Sequence, residues 1–246
     1  MGMFYDYRPP HPVEQHERLV ALRLLTDNDI PCIPWAEDAI CYVYRLPTAL
    51  SDQQILVPDK LLETAANLLQ AGSSRYVPTV HAWDYAETFV EDDSNKLEPI
   101  PGFIVLLPQS YFGLDVRNQE RFQSLVPPLH PSNSKILVPK YLTFLEGLIH
   151  FVMNPPTRLD VPYLHLTSKR KYDIFISYLV HYRVKYDMDV IPPVHELYPE
   201  ESKIMDEVQT GEARQYLPQL MWERKNVYVE EILEYQRQAA AGTFSL

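Results

Sequence analysis

Hydrophobic residues in the first third of the chain alternate between helical and strand-like spacing. Leu19, Leu22 and Leu25 recur every three residues and place one apolar stripe on a helix. Further along, Ile55-Leu56-Val57 is a short apolar run that suits a buried strand, and Pro58 suits the first turn of a following helix. The elements predicted here are a helix over 14–28, a strand over 30–35, a helix over 36–45, a strand over 54–57 and a helix over 58–71.

The same strand-to-helix pattern returns in the middle of the chain. Ile136-Leu137-Val138-Pro139 echoes Ile55-Leu56-Val57-Pro58, and a leucine-striped helix is predicted after it. Between the two copies, residues 76–80 and 103–107 predict strands, while the proline-bearing stretch 108–133 predicts an excursion around the sheet edge. The first 153 residues are therefore predicted to mix strands and helices.

The remaining residues favour helices. Residues 169–187 are strongly amphipathic, and further helices are predicted over 200–210, 211–219 and 221–238, with Gly211 and Pro218 separating them. We therefore predict an α+β fold, in which a mixed sheet flanked by helices is followed by an α-helical C-terminal part. The predicted domains are residues 1–153 and residues 154–246.

The composition excludes several classes of protein. Only 7 of the 246 residues are glycine, and neither GxGxxG nor GxxxxGK[ST] occurs, so a Rossmann or P-loop nucleotide site is not expected. The formal net charge of -11 repels phosphate backbones and argues against general DNA or RNA binding. The 2 cysteines, Cys32 and Cys41, are too few for a disulfide framework and lack zinc-site spacing.

The sequence also indicates where the protein resides. No apolar stretch reaches the length of a membrane span, and the first residues do not resemble a signal peptide. We therefore expect a cytoplasmic protein without a membrane partner. An acidic surface of this kind would also tolerate a cationic ligand such as a basic amino acid.

The stretch LPTALSDQQILVPDKLL, residues 46–62, places an acid directly before a predicted strand. Together with the preceding helix, strand and helix, it resembles the minimal nucleotidyltransferase fold. That superfamily has small, divergent fungal members, and their sequences are similar to two segments of this chain, PWAEDAICYVYRLPT and ILVPDKLLETAANLL. The resemblance covers about residues 14–70 and implies a nucleotidyltransferase-like mixed sheet.

Position by position, the resemblance implies an incomplete metal site. Asp52 occupies the first acid position of the family and would hold Mg²⁺, whereas Gln54 occupies the second and adds no charge. The third acid usually comes from a neighbouring strand, yet residues 103–107 are wholly apolar. Pro34-Trp35-Ala36 stands where the family has a glycine pair that cradles phosphate.

Glu37 and Asp38 are the other candidate catalytic residues beside Asp52. Both open the helix predicted over 36–45, where the helix dipole stabilises acids, so a purely local role is one interpretation. The other is that one of them points toward Asp52 and restores a carboxylate pair. The residues predicted to bind substrate are Gln54, Thr48, Trp35, Tyr42, Lys169 and Arg170.

Three functions are compatible with these residues. The first is a transferase-like protein that takes a group from a nucleotide-bearing donor with the help of Mg²⁺. The second is an enzyme of fungal secondary metabolism that makes arginine-containing cyclodipeptides from aminoacyl-tRNA. Its acidic pocket would bind a guanidinium, and Lys169-Arg170 would bind the acceptor end of the tRNA. The third is a non-catalytic binding module whose cleft is filled by Trp35 and Tyr42.

One structural observation would separate these functions. An open cleft with two or more acids within reach of a metal ion favours an enzyme. A cleft that is filled by Trp35 favours the binding module.

Overall fold

The computed structural model describes residues 3–4, 16–44, 49–50, 52–72, 76–79, 88–91, 103–127, 129–156, 164–183 and 196–240. The chain divides into two compact units, Met1–Ile176 and Ser177–Leu246. The domain boundary after residue 153 stays a prediction. Thr48 lies outside the described residues.

The first unit combines strands with helices, and the second is helical where it is described. The strands are β1 (Met3–Phe4), β2 (Ile33–Trp35), β3 (Ala49–Leu50), β4 (Gln53–Val57), β5 (Tyr76–Thr79), β6 (Thr88–Glu91), β7 (Phe103–Pro108), β8 (Phe122–Ser124) and β9 (Leu137–Pro139). The α-helices are α1 (Val20–Asp27), α2 (Glu37–Ala39), α3 (Leu62–Gly72), α4 (Tyr141–Met153), α5 (Leu164–Arg183), α6 (Pro199–Glu207) and α7 (Gly211–Ala240). This content confirms the predicted α+β fold with helices at its C-terminal end.

Five strands form the central sheet in the order β2-β4-β7-β6-β5. β4 runs parallel to β7 and antiparallel to β2, while β6 runs antiparallel to both β5 and β7. In this register Gln54 lies between Trp35 of β2 and Val105 of β7. The described part of β7 therefore brings no carboxylate beside Gln54, as its apolar sequence predicted.

One face of the sheet packs against α1 and α3. Side chains alternate between the two faces of a strand, so Ile55 and Val57 of β4 point to the same side. Both are fully buried in the main hydrophobic cluster, where α1 and α3 contribute their apolar stripes. The central members of the cluster are Leu19, Leu22, Leu25, Ile55, Val57, Ala65, Leu69, Ile104 and Leu106.

An aromatic cluster forms a second centre of packing in the first unit. Trp35 is fully buried, with its ring centroid 4.8 Å from that of Phe112 and 4.7 Å from that of Phe144. Phe151 and Tyr172 continue the cluster, with centroids 4.8 Å apart and nearly perpendicular rings. Such edge-on contacts add about 0.5–1.5 kcal/mol per pair beyond the burial of area.

Two details of the helices differ from the sequence prediction. The segment predicted as one helix over 36–45 is the short α2 followed by a π-helical turn, Ile40–Tyr44. The prediction that Pro218 separates two helices is wrong, because α7 runs through it without interruption. Pro218 removes a single backbone hydrogen bond, while the buried stripe of Ala213, Leu217 and Met221 continues on both sides of it.

Both cysteines are buried free thiols. Burial raises the pKa of the Cys41 thiol to about 12, and it raises the pKa of Cys32 further. No helix among the described residues has the length and apolar composition to cross a bilayer.

Candidate functional site

The turn between β2 and α2 has an unusual backbone conformation. Ala36 has φ 51° and ψ -121°, a region that residues with a side chain rarely adopt. Its side chain is fully buried, so the surrounding structure holds the strained conformation in place. Such strain costs about 1–3 kcal/mol and concentrates at active sites and ligand clamps. Ala36 thus adopts a glycine-like backbone at the position where the family resemblance implies a glycine.

The π-helical turn that follows α2 is a second irregularity. Residues Ile40–Tyr44 form it, and its last side chain is anchored, because the Tyr44 hydroxyl donates a hydrogen bond of 3.0 Å to the carbonyl of Pro139. The Tyr44 ring also stacks on Phe144, with centroids 5.5 Å apart. π-Helical turns are rare and occur frequently at functional sites.

Asp38 is bound to a buried arginine. The Arg18 Nε and Nη2 groups donate hydrogen bonds of 2.6 and 2.8 Å to its two carboxylate oxygens. Arg18 Nη2 also donates a bond of 3.0 Å to the backbone carbonyl of Asp52. Burial alone would lower the pKa of the Arg18 guanidinium, but the Asp38 charge and hydrogen bonds outweigh it and raise that pKa above its ordinary value. Asp38 thus has both oxygens occupied, and through Arg18 it positions the start of β4.

Glu37 is also buried, yet only half satisfied. Its Oε1 forms an ion pair with Lys171 Nζ of α5, whereas its buried Oε2 has no hydrogen-bond partner among the residues that the structure describes. Burial raises the pKa of the Glu37 carboxyl, although the Lys171 charge opposes the shift. An unsatisfied buried acceptor is costly in an isolated protein, and such groups call for a functional or structural explanation.

The two glutamines after Asp52 point to opposite faces of β4. Gln53 Nε2 donates a hydrogen bond of 2.9 Å to the carbonyl of Arg18, and no described residue donates a hydrogen bond to its buried Oε1. Gln54 faces the other way, and its Oε1 accepts a hydrogen bond of 2.6 Å from the Tyr172 hydroxyl. The side chain of Gln54 is therefore held by α5.

Asp52 differs from the other acids of the site. It is half-buried, and no hydrogen bond or ion pair joins its carboxylate to another residue that the structure describes. Asp52 lies one residue before β4 begins at Gln53, so the alternation of side chains within the strand does not fix its direction. Its role as a ligand-binding residue stays a prediction.

The other predicted ligand-binding residues do not come together. Trp35 lies in the aromatic cluster, and its buried indole Nε1 has no hydrogen-bond partner in the described part of the chain. Tyr42 packs half-buried against the α1 and α3 cluster. Lys169 is half-buried and Arg170 is exposed, and it is their neighbour Lys171 that contacts Glu37. Burial of Trp35 in packed aromatic rings is the arrangement that favours a binding module.

The described residues do not fit a two-metal centre. They contain no group of three or more His, Cys, Asp or Glu side chains able to hold a metal ion. Glu37 and Asp38 are each neutralised by a cation of the protein, so neither adds free negative charge for a second ion. Their catalytic roles, and Mg²⁺ at Asp52, stay predictions.

Sequence reasoning missed Arg18, and it missed the contacts of Lys171 with Glu37 and of Tyr172 with Gln54. Arg18 did carry a signal, because it lies four residues before Leu22 and so falls on the apolar stripe of the predicted helix. A charged residue on such a stripe needs a buried partner of opposite charge. The pairings of Lys171 and Tyr172 carried no sequence signal, since their partners lie more than 100 positions away in the sequence.

Comparisons with known proteins give limited matches. No family model matches the chain, and no curated protein matches it either. The solution structure of the antibiotic-resistance factor ANT(2'')-Ia is similar at a TM-score of 0.38 and 12% identity, over 68% of this chain and 88% of that one. The crystal structure of ANT(2'')-Ia in complex with adenylyl-2''-tobramycin gives a TM-score of 0.37 and 12% identity, over 68% and 93% of the two chains. Similarity at this level assigns neither a family nor an activity.

Proposed function

We propose that this protein is transferase-like, built on a divergent nucleotidyltransferase scaffold, and that it binds a nucleotide-bearing donor where β4 begins, beside Asp52 and Gln54. The observation that supports this most is the half-satisfied, buried Glu37 next to the strained Ala36. Both lower stability, and features of that kind are retained where function needs them. They fall at the place where the sequence resemblance implies an active site.

The proposal includes at most a single Mg²⁺ at this site. Asp52 is the acid with a free carboxylate among those assigned here, and one protein carboxylate plus phosphate oxygens is a common way to hold this ion. Gln54 is engaged by Tyr172 and contributes no charge. The ion would neutralise charge on a donor phosphate.

Calorimetric titration tests the proposal. Mg-ATP and Mg-CTP are added to the full chain and to Asp52→Ala, with Asp27→Ala as the control because Asp27 is an exposed aspartate that pairs with Lys135. We expect the wild type and the control to bind at least one of the two nucleotides and Asp52→Ala to bind it at least about tenfold more weakly, because the substitution removes the protein carboxylate that would hold Mg²⁺ against the donor phosphates. Absence of binding to both nucleotides, or binding unaffected by Asp52→Ala, would contradict the proposal.

A non-catalytic binding module is the second candidate. It is favoured by the fact that Glu37, Asp38 and Gln54 all have protein partners, and by the burial of Trp35. Release of pyrophosphate from a bound nucleotide in the presence of Mg²⁺ separates the two candidates. A transferase releases it when an acceptor is available, whereas a module binds the nucleotide and leaves it intact.

The third candidate is an enzyme that makes arginine-containing cyclodipeptides from aminoacyl-tRNA. It needs a carboxylate that is free to bind an arginine substrate, and Asp38 already binds Arg18. Asp52 remains for this role. Analysis of the cyclic dipeptides in a host that expresses the protein tests the idea, and a host without new arginine-containing products would rule it out.

A further inference from the structure

Two consecutive residues of α5 contact the two polar positions of the site. Lys171 Nζ forms its ion pair with Glu37, and the Tyr172 hydroxyl donates its hydrogen bond to Gln54. Because Tyr172 is buried in the aromatic cluster, this part of α5 is fixed against the sheet. The position of the Lys171 ammonium is therefore set by the fold.

The ion pair between Lys171 and Glu37 is incomplete on both sides. The Lys171 side chain is 28% exposed, whereas that of Glu37 is 7% exposed, and no described residue bonds to Glu37 Oε2. An ammonium has three donors, and the described contacts of Lys171 are Glu37 and the face of the Phe175 ring. A buried ion pair is strongly stabilising only when its remaining polar atoms are also satisfied. This pair is therefore one that another anion can replace.

The charge of the protein makes such a cation necessary for an anionic donor. The whole chain carries a net charge of -11, which repels a di- or triphosphate unless a local positive group compensates. Arg18 cannot serve, because it is 3% exposed and already bonded to Asp38 and to the Asp52 carbonyl. Lys171 is the other cation that contacts the acids of the site, and it is partly open to solvent.

We infer that Lys171 is an anion-binding group of the site, and that its ammonium exchanges Glu37 for an oxygen of a di- or triphosphate without requiring a metal ion. The inference rests on the proposed function for the place of this phosphate on a nucleotide-bearing donor. Glu37 then acts as a built-in competitor that occupies Lys171 when no ligand is present.

The test is titration of the full chain with inorganic tripolyphosphate in the presence of EDTA. Lys171→Met should weaken binding about tenfold to a hundredfold, because it removes a charge-assisted contact. Glu37→Gln should strengthen it roughly threefold to fivefold, since it removes an ion pair of the part-exposed kind. Lys203→Met is the control, because Lys203 is an exposed lysine of α6 that pairs with Glu207, and this variant should bind as the wild type does.

A double variant tests whether Lys171→Met loses binding only because the protein misfolds. Lys171→Met alone leaves Glu37 buried without a cation, whereas the double variant Glu37→Gln, Lys171→Met removes both charges. The double variant should fold and should bind tripolyphosphate as weakly as Lys171→Met. A purely structural role would make Glu37→Gln and Lys171→Met weaken binding together, and this outcome would overturn the inference.

The outcomes also separate the inference from the proposed function. If the wild type does not bind tripolyphosphate in EDTA, or binds it independently of Lys171, the inference is wrong even if Mg-ATP binds at Asp52. If tripolyphosphate binds through Lys171 but neither nucleotide binds, the inference stands as an anion site and the nucleotide-bearing donor is excluded.

Discussion

Arg18 and Asp38 form a two-pronged ion pair that is closed off from water. The hydrogen bonds measure 2.6 and 2.8 Å, and the side chains are 2% and 0% exposed. Paired guanidinium-to-carboxylate bonds of this kind are among the stronger polar contacts in proteins. The same guanidinium holds the carbonyl of Asp52, so the pair links α2 to the start of β4.

Breaking this pair should destabilise the protein strongly. Asp38→Asn leaves a buried guanidinium without its counter-charge, and we expect the free energy of unfolding to fall by about 3–5 kcal/mol. Asp27→Asn, which breaks the exposed pair of Asp27 with Lys135, is the control and should cost less than about 1 kcal/mol. Urea unfolding followed by tryptophan fluorescence measures both, and equal losses would show that burial is not the cause.

Glu37 should change how the free energy of unfolding varies with pH. Burial raises the folded-state pKa of this carboxyl above its ordinary value of 4.5, against the opposing charge of Lys171 and with a small contribution from Asp38. Because the pKa of Glu37 is raised in the folded state, its carboxyl contributes fully to the free energy of unfolding below pH 4.5. That contribution is lost as the pH rises through the folded-state pKa. The stability of the wild type relative to Glu37→Gln should therefore fall as the pH rises above 4.5.

The control for this prediction is Glu63→Gln, which removes an exposed carboxyl from α3. Urea unfolding at a series of pH values should give this variant a curve of the same shape as that of the wild type. A wild-type curve that Glu37→Gln fails to change in shape would show that Glu37 does not titrate differently in the folded state.

Ala36→Gly should relieve backbone strain. The φ of 51° suits glycine and not alanine, so the substitution removes a local cost while losing one buried methyl group. Ala39→Gly is the matched control, because Ala39 is equally buried but has an ordinary helical backbone. We expect Ala36→Gly to be more stable than Ala39→Gly by at least about 1 kcal/mol in thermal unfolding. Equal destabilisation would mean that Ala36 is unstrained.

Gly147→Ala should be destabilising, because α4 passes close to the indole of Trp35. A Cβ at position 147 would lie 2.8 Å from the Trp35 ring and 3.3 Å from Leu114. Overpacking of this kind costs about 1–3 kcal/mol, which exceeds the gain in helix propensity. Gly211→Ala at the start of α7 meets nothing within 4 Å and should be neutral or stabilising. Calorimetric unfolding compares the two, and a neutral Gly147→Ala would contradict the packing around Trp35.

The periodicity of apolar residues predicted the main strands and helices well. Ile55-Leu56-Val57 and residues 103–107 are continuous apolar runs because both of their faces are covered, and they are the adjacent parallel strands β4 and β7. The π-helical turn Ile40–Tyr44 could not be predicted, because its apolar residues have ordinary helical spacing and only tertiary contacts such as Tyr44 with Pro139 fix it.

The site was predictable only in part. Residues 37, 38, 52 and 54 were identified from their order along the chain, and the structure places them around one strand start. The hydrogen bonds and ion pairs of these side chains were not predictable. They are made with Arg18, Lys171 and Tyr172, which are distant in sequence and are brought into contact by the fold. A sequence shows which residues are acidic but not which cations have already neutralised them.

The buried ion pair between Arg18 and Asp38 has an evolutionary consequence. Neither residue can be exchanged by one mutation without stranding the other in the interior, so among relatives of this chain the two positions should change together or stay fixed together. A conserved aspartate at position 38 in an alignment would then reflect the need to pair the buried Arg18. It would not by itself identify a residue that takes part in chemistry.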